Sequence, residues 1–316
     1  MHAIYFLAII FLCFLLERTT GLTVRSLRAV RERVRVNELI MSFFFLGVVT
    51  SVPEMFVAIM SAIRGIPELS LGNLLGANIV VLSFMVGLTA LLAGGMSINN
   101  TLRTKDFFLS LGVTGLPLIF VLDGALARWE GVVICSAFLY LLIHFYRNRH
   151  FYRDTNEEDA VPRILSLKDI GLFAFSIVAL LVVSYLLVEI VLLATAAWQV
   201  PVVIIGLFLI SIGTNVPEMA FVITQASQKY KENKDIATGI LLGNVVVNAP
   251  VIGMLAIVRP FTIEHMSAIW ITAGFLALTL IVLGYSMVSH GRLSRHEGIL
   301  LLCIYAAYLW YSYTAV

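Results

Sequence analysis

Two carboxylates stand where an apolar chain has least use for them. Residues 43–59 read FFFLGVVTSVPEMFVAI and residues 208–223 read FLISIGTNVPEMAFVI, so Glu54 and Glu218 each follow a proline inside a membrane-grade apolar run. A proline within a helix removes one backbone hydrogen bond and distorts the preceding turn. Pro53 frees the carbonyl of Val49 and Pro217 that of Gly213, loosening the carbonyls around 49–51 and 213–215. In hydrocarbon an unpaired carbonyl is costly, and an ionised carboxylate near the bilayer centre costs at least ~2.5–3.5 kcal/mol. A hard divalent cation offsets both costs. Its two charges balance two carboxylates. Their four oxygens, with the loosened carbonyls and the hydroxyls of Thr50, Ser51 and Thr214, approach the roughly six to eight oxygens that calcium takes, whereas magnesium gives up water reluctantly. One intramembrane glutamate alone is compatible with a protonated, hydrogen-bonded core residue; a symmetric pair, each behind a proline, points to an ion. Glu189, the third acid within a span, lies toward the outer end of its helix, where it reaches water, caps a neighbour or stands at an ion entry.

The elements that position these carboxylates must be membrane helices. The chain has 316 residues, 60% hydrophobic and 13% charged, with mean hydropathy +0.98. Soluble domains are nearer about 45–50% apolar and 25% charged, and no polar stretch here is long enough to form one. The basic residues sit in short loops between apolar segments, which excludes a nucleic-acid partner. Cys13, Cys135 and Cys303 all lie within apolar segments, without a CxxC; they read as small buried fillers. The six histidines fall at segment ends or in loops, and none is at metal-ligand spacing from a Cys or Asp.

Apolar runs able to cross about 30 Å of hydrocarbon fall near 2–24, 36–63, 69–93, 106–123, 129–146, 170–196, 200–225, 236–258, 264–289 and 297–314. The expected fold is therefore an all-α membrane protein with ten transmembrane helices. The first run lacks the basic leader and cleavage site of a signal peptide. With both termini outside, 18 of the 21 Lys and Arg residues fall in inside loops and only Arg64, Arg128 and Arg259 outside, as the positive-inside rule requires.

The Pro-Glu segments belong to an internal repeat. GVVTSVPEMFVAIMSA (47–62) matches SIGTNVPEMAFVITQA (211–226) at an offset of 164, and LGNLLGAN (71–78) matches TGILLGNV (238–245) at 167. The expected organisation is a first five-helix repeat over 1–146 (motif helices 36–63 and 69–93), a cytoplasmic linker over 147–169, and a second five-helix repeat over 170–316 (motif helices 200–225 and 236–258). Five is odd, so the repeats are inverted. Inverted repeats with interrupted helices at matching positions mark the midplane site of a secondary transporter. Gly72, Gly76, Gly239 and Gly243 permit close helix approach. Asn73, Asn78, Asn244 and Asn248 serve either the site or interhelical hydrogen bonding.

At these residues the chain resembles the sodium/calcium exchanger family of the calcium:cation antiporter superfamily. That family carries G-T-S-x-P-E on one helix and G-N-x-x-G-S-N-I-x-N/D on the next, in each of two inverted repeats. Here the first repeat reads Val49-Thr50-Ser51-Val52-Pro53-Glu54, then Gly72-Asn73-Leu74-Leu75-Gly76-Ala77-Asn78-Ile79-Val80-Val81. The second reads Gly213-Thr214-Asn215-Val216-Pro217-Glu218, then Gly239-Ile240-Leu241-Leu242-Gly243-Asn244-Val245-Val246-Val247-Asn248. The resemblance implies a calcium core of Glu54, Glu218 and the backbone carbonyls of Thr50 and Thr214, one residue from the carbonyls to which the prolines point. It implies secondary cation sites at Ser51, Asn215, Asn244 and Asn248, and first and sixth helices that slide over the motif core. The sequence departs from the pattern at Ala77 and Val81, which offer no side-chain oxygen, at Asn215 and Asn244 where the motif has serine, and at Asn248, a neutral amide.

The expected function is secondary active antiport of calcium for sodium by alternating access. On the same fold the alternative is a calcium/proton antiporter with Glu54 and Glu218 as proton carriers. The remote alternative is a non-transporting scaffold. The chain is not expected to be an enzyme or to hold a cofactor: there is no G-x-G-D or G-x-S-G motif. Its expected partners are inorganic cations and the lipid bilayer. It is expected to function as a monomer, multi-pass in a prokaryotic cell membrane. The linker is too short for a calcium-sensing domain.

Overall fold

The computed structural model describes residues 2–31, 48, 51–97, 103–148, 167–216, 219 and 231–315. Thr50, Pro217, Glu218, most of residues 32–50 and the 149–166 part of the linker lie outside them.

The long apolar runs form helices: α1 (His2–Arg31), α2 (Val52–Arg64), α3 (Pro67–Ala93), α4 (Thr104–Phe120), α5 (Arg128–Arg147), α6 (Leu167–Trp198), α7 (Val202–Val216), α8 (Lys231–Val258), α9 (Met266–His290) and α10 (Arg295–Ala315). Among the described residues seven are long and apolar enough to cross a membrane: α1, α3, α4, α5, α6, α8 and α9. Of the other three, α2 and α7 are described on one side of their Pro-Glu pair only, and α10 has a charged first turn and an aromatic body.

Pro53 does not sit where the sequence suggested. It lies in the first turn of α2, where the missing N–H costs nothing. The break in this motif helix is thus a fresh helix start at Val52, with Glu54 in its first turn. Two further irregularities flank the motif residues. A π-helical turn spans Val80–Met85 within α3, just beyond Asn78, and another spans Ile205–Ile210 within α7, just ahead of Thr214. Such turns concentrate at functional sites.

Burial sorts the helices into centre and rim. The most apolar stretches of α3 and α8 are 83% buried, whereas those of α1, α4, α5, α6 and α9 are 28–50% buried. The exposed faces of the rim helices carry Phe6, Phe11, Ile119, Val182, Ile281 and similar residues, the pattern of a lipid-facing surface. Helices α1 and α6 pack together, sharing a core of Ile9, Leu12, Cys13 and Leu16 with Leu180, Leu187, Val188 and Val191. This core closes over Val57, Leu69, Ile205 and Ile210 of α2, α3 and α7. A separate, larger core joins α3, α4, α5, α8, α9 and α10.

Contacts between the two halves come in matched pairs. A methyl placed on Gly87 (α3) would lie 2.8 Å from the carbonyl oxygen of Gly298 (α10), and one on Gly298 would lie 2.8 Å from that of Gly87. Gly131 (α5) and Gly253 (α8) face each other's carbonyls in the same reciprocal way. Gly131 and Gly298 are 167 residues apart, and Gly87 and Gly253 are 166, close to the offset of the LLG motifs. Two short antiparallel ribbons behave alike. Met96–Ser97 pairs with Arg292–Leu293, and Ala125–Leu126 pairs with Phe261–Thr262. Each ribbon takes one strand from before the linker and one from after it. The two are separated by the length of α4, roughly 26 Å at helical rise.

Candidate cation site

Glu54 projects from the first turn of α2, at the helix end whose free N–H groups and dipole favour negative charge. It is 1% exposed, and neither carboxyl oxygen has a hydrogen-bond partner among the described residues. A buried carboxyl this poorly hydrogen-bonded is among the most expensive groups a protein can hold. Thr214, from the other half of the chain, faces this carboxyl; its hydroxyl donates instead to the Ile210 carbonyl at 3.0 Å.

More unspent oxygens gather on the same helices. Asn215 donates its amide to the Ser211 carbonyl (2.8 Å) and to Thr214 Oγ1 (3.4 Å), leaving its own Oδ1 without a partner. Asn248 donates to Asn78 Oδ1 at 2.7 Å, across α8 and α3, and its Oδ1 is likewise unspent. Ser51 donates to the main-chain carbonyl of Asn244 at 3.4 Å, joining the start of α2 to α8. Asn73, buried on α3, has neither side-chain polar atom paired. Among the described residues no three His, Cys, Asp or Glu side chains cluster. The buried polar groups of these motif helices are amides, hydroxyls and carbonyls, hard oxygen ligands that suit calcium or sodium rather than zinc or copper.

Close packing makes this clustering possible. Gly72 and Gly76 present bare backbone to α7, where a methyl would run into the carbonyls of Val203 and Leu207. Gly206 returns the contact against Leu69 and Asn73. Small residues let the two helices touch main chain to main chain and bring Gly76 of α3 against Ser211, about one turn before Thr214. The equivalent contact expected of Gly239 is not among the described side chains.

Of the residues marked by sequence, the structure sets Thr214 against Glu54, Asn215 against Thr214, Ser51 against the Asn244 main chain and Asn248 against Asn78; Thr50 and Glu218 lie outside the described residues. Ala77 and Val81 are fully buried on α3. Glu189 is not isolated at the outer end of α6: it forms an ion pair with Arg64 at the end of α2. The Arg64 guanidinium also donates to the Tyr185 hydroxyl at 2.8 Å and lies over that ring. Two other expectations change. Cys303 is exposed rather than buried, because it faces outward, where lipid is as apolar as a core. His144 pairs with the buried Asp106 at 2.7 Å, from α5 to α4, a tertiary pairing invisible to sequence spacing. Sequence reasoning also missed Cys13 and Glu17 of α1, both of which lie close enough to Glu54 for charge interaction. The one signal available was their i, i+4 spacing on one helix face.

The family model described as sodium/calcium exchanger protein matches residues 4–147 and 168–314. The sodium/calcium exchanger MaX1 of Methanosarcina acetivorans is 24% identical over 98% of each chain. The inner membrane protein YrbG of Escherichia coli is 37% identical over a shorter stretch, 43% of this chain and 41% of that one. Among solved structures, the sodium-calcium exchanger NCX_Mj soaked with Na+ and Sr2+ superposes with a TM-score of 0.64 at 19% identity, covering 98% of this chain and 97% of that one. At that identity the likeness is one of fold.

Proposed function

This chain belongs to the sodium/calcium exchanger protein family, and we propose on that footing that it exchanges Ca2+ for Na+ across a cell membrane by alternating access. The cation lies between Glu54 and Glu218, with the carbonyls of Thr50 and Thr214 completing the calcium core. Ser51, Asn215, Asn244 and Asn248 serve the secondary cation sites. The observation that carries this reading is Glu54, buried to 1% exposure, with both carboxyl oxygens unpartnered and facing Thr214 of the opposite half. A bound cation balances such a charge; an apolar core does not.

The framework is ten transmembrane helices in two inverted five-helix repeats, with both termini outside and the protein working as a monomer. The reciprocal glycine pairs and the two ribbons support the inversion. An operation that exchanges the halves turns the α3–α10 contact into α8–α5, and the ribbon at one end of α4 into the ribbon at the other. Alternating access follows from such symmetry, because each half can adopt the conformation of its mate.

Buried Ala77 and Val81 give the site no side-chain oxygen from α3 at those positions, which favours one competing reading, a calcium/proton antiporter with the same glutamates carrying protons. Calcium flux in vesicles, run once with a sodium gradient and no pH gradient and once with a pH gradient and sodium held at zero, separates the two readings. Flux driven by sodium alone supports sodium exchange; flux driven by the pH gradient alone supports proton exchange. Glu54→Gln and Glu218→Gln keep side-chain volume and remove the balancing charge. Each is expected to abolish calcium transport in a protein that still inserts, and near wild-type transport by either variant overturns the paired-carboxylate site.

A further inference from the structure

Helix α1 carries a carboxylate to the edge of the cation site. Its buried stripe runs through Ile9, Leu12, Cys13, Leu16 and Thr20, and Glu17, one turn beyond Cys13, is partly buried at the edge of that stripe. Cys13 marks how closely this face approaches the motif. A methyl on Gly213 would lie 2.8 Å from Cys13 Sγ and 3.0 Å from its Cβ, so α1 touches α7 one residue before Thr214. From this position Glu17 lies close enough to Glu54 for the two charges to interact.

The opposite charge set against Glu17 is that of its neighbour Arg18, but Arg18 is exposed and holds its guanidinium over the Phe14 ring, 4.7 Å from the centroid, so it offsets the buried carboxylate only in part. The ion pairs among the described residues are Arg64–Glu189 and His144–Asp106, and neither involves Glu17. Glu17, Cys13 and Glu54 do not form a joint chelate, since no three such groups cluster there. Two like charges in a poorly solvated setting repel each other, and a cation passing between them relieves that repulsion.

We propose that Glu17 is a third carboxylate of the cation path, a subsite beside the Glu54 site that draws divalent cations toward it more strongly than monovalent ones. The proposal rests on the reading of Glu54 as a cation ligand. Its physical content is a scaling law. The field of one extra negative charge acts on the charge of the ion, so its free-energy contribution for Ca2+ is twice that for Na+ at the same place. A given fold-change in sodium affinity must therefore appear squared for calcium.

The test is equilibrium titration of the purified full chain with Ca2+ and, separately, Na+, in the wild type, Glu17→Gln, Glu17→Asp and Glu54→Gln. Glu17→Gln is expected to raise half-saturating Ca2+ about ten-fold and half-saturating Na+ about three-fold, as the charge scaling requires. Glu17→Asp, which keeps the charge, is expected to bind both ions as the wild type does. Equal losses for the two ions, or no loss for either, overturn the proposal. If Glu17→Gln does not fold, Glu17→Ala replaces it, and Glu17→Asp still decides: a loss there as large for Na+ as for Ca2+ marks a packing role and overturns the proposal. The control separates the two layers of inference. Wild-type calcium binding by Glu54→Gln removes the site itself, whereas loss in Glu54→Gln with none in Glu17→Gln removes only the subsite.

Discussion

Asn248 donates its side-chain amide to Asn78 Oδ1 at 2.7 Å, joining α8 to α3 where both helices are fully buried. The bond crosses between the two halves of the chain and leaves Asn248 Oδ1 unspent. Asn248→Ala leaves Asn78 Oδ1 buried without its donor, a loss of about 1–3 kcal/mol, which thermal melts in detergent will record as a fall of several degrees. A melting temperature for Asn248→Ala equal to that of the wild type would remove the bond from the account.

The contact between α3 and α7 leaves no room at Gly76, where a methyl would meet the Leu207 carbonyl and lie 2.7 Å from Ser211 Oγ. The obstacle is backbone, which cannot swing aside as a side chain can. Gly76→Ala is expected to destabilise the protein by about 1–3 kcal/mol through overpacking and to weaken calcium binding by moving α3 away from α7, the helix that carries Thr214. Gly112, with open space where a Cβ would stand, is the control, and Gly112→Ala should bind calcium as the wild type does.

Cys13 and Gly213 are placed for a cross-link. The Cβ positions are 3.0 Å apart, slightly inside the usual disulfide range of about 3.5–4.5 Å, so a small adjustment suffices. Gly213→Cys should oxidise with the native Cys13, fix α1 to α7, stop calcium transport, and recover on reduction. The same substitution combined with Cys13→Ala should show no response to oxidant. Full transport by the oxidised, cross-linked protein would show that α1 need not move relative to α7.

Ala77 and Val81 mark where α3 lacks oxygens that the family motif supplies. On the proposed reading, each missing ion–dipole contact would weaken a sodium ion by about the 1.5–3 kcal/mol of a charged hydrogen bond, while calcium would depend on the glutamates and threonine carbonyls. Ala77→Ser with Val81→Asn should therefore let sodium displace calcium at lower concentration. Calcium binding titrated with sodium in both proteins measures this; unchanged or weaker displacement places these positions away from any sodium site.

The membrane class, the Pro-Glu pairs and the repeat were legible in the chain itself, because each is a one-dimensional property: run length, composition and self-similarity at a fixed offset. The family match over residues 4–147 and 168–314 covers both copies of that repeat. The break at Pro53 was legible as a break but not in kind. Sequence suggested a distorted turn, whereas α2 starts anew at Val52, since a proline costs least in a first turn and the surrounding helices decide whether the preceding turn continues.

Helix partners were not legible. Gly87 with Gly298 and Gly131 with Gly253 read in sequence only as isolated glycines, and Asp106 with His144 only as residues of two separate helices. Glu17 looked like the polar end of a short span until packing set α1 against α7. An apolar pattern says that a helix face must be covered and is nearly indifferent to what covers it. Which side chains meet depends on the depth and angle at which helices cross, and those are settled by backbone-to-backbone fit among all of them at once. The sequence by itself therefore determined that two glutamates follow prolines inside apolar runs, whereas the tertiary structure decided that Thr214 of the other half and helix α1 meet Glu54.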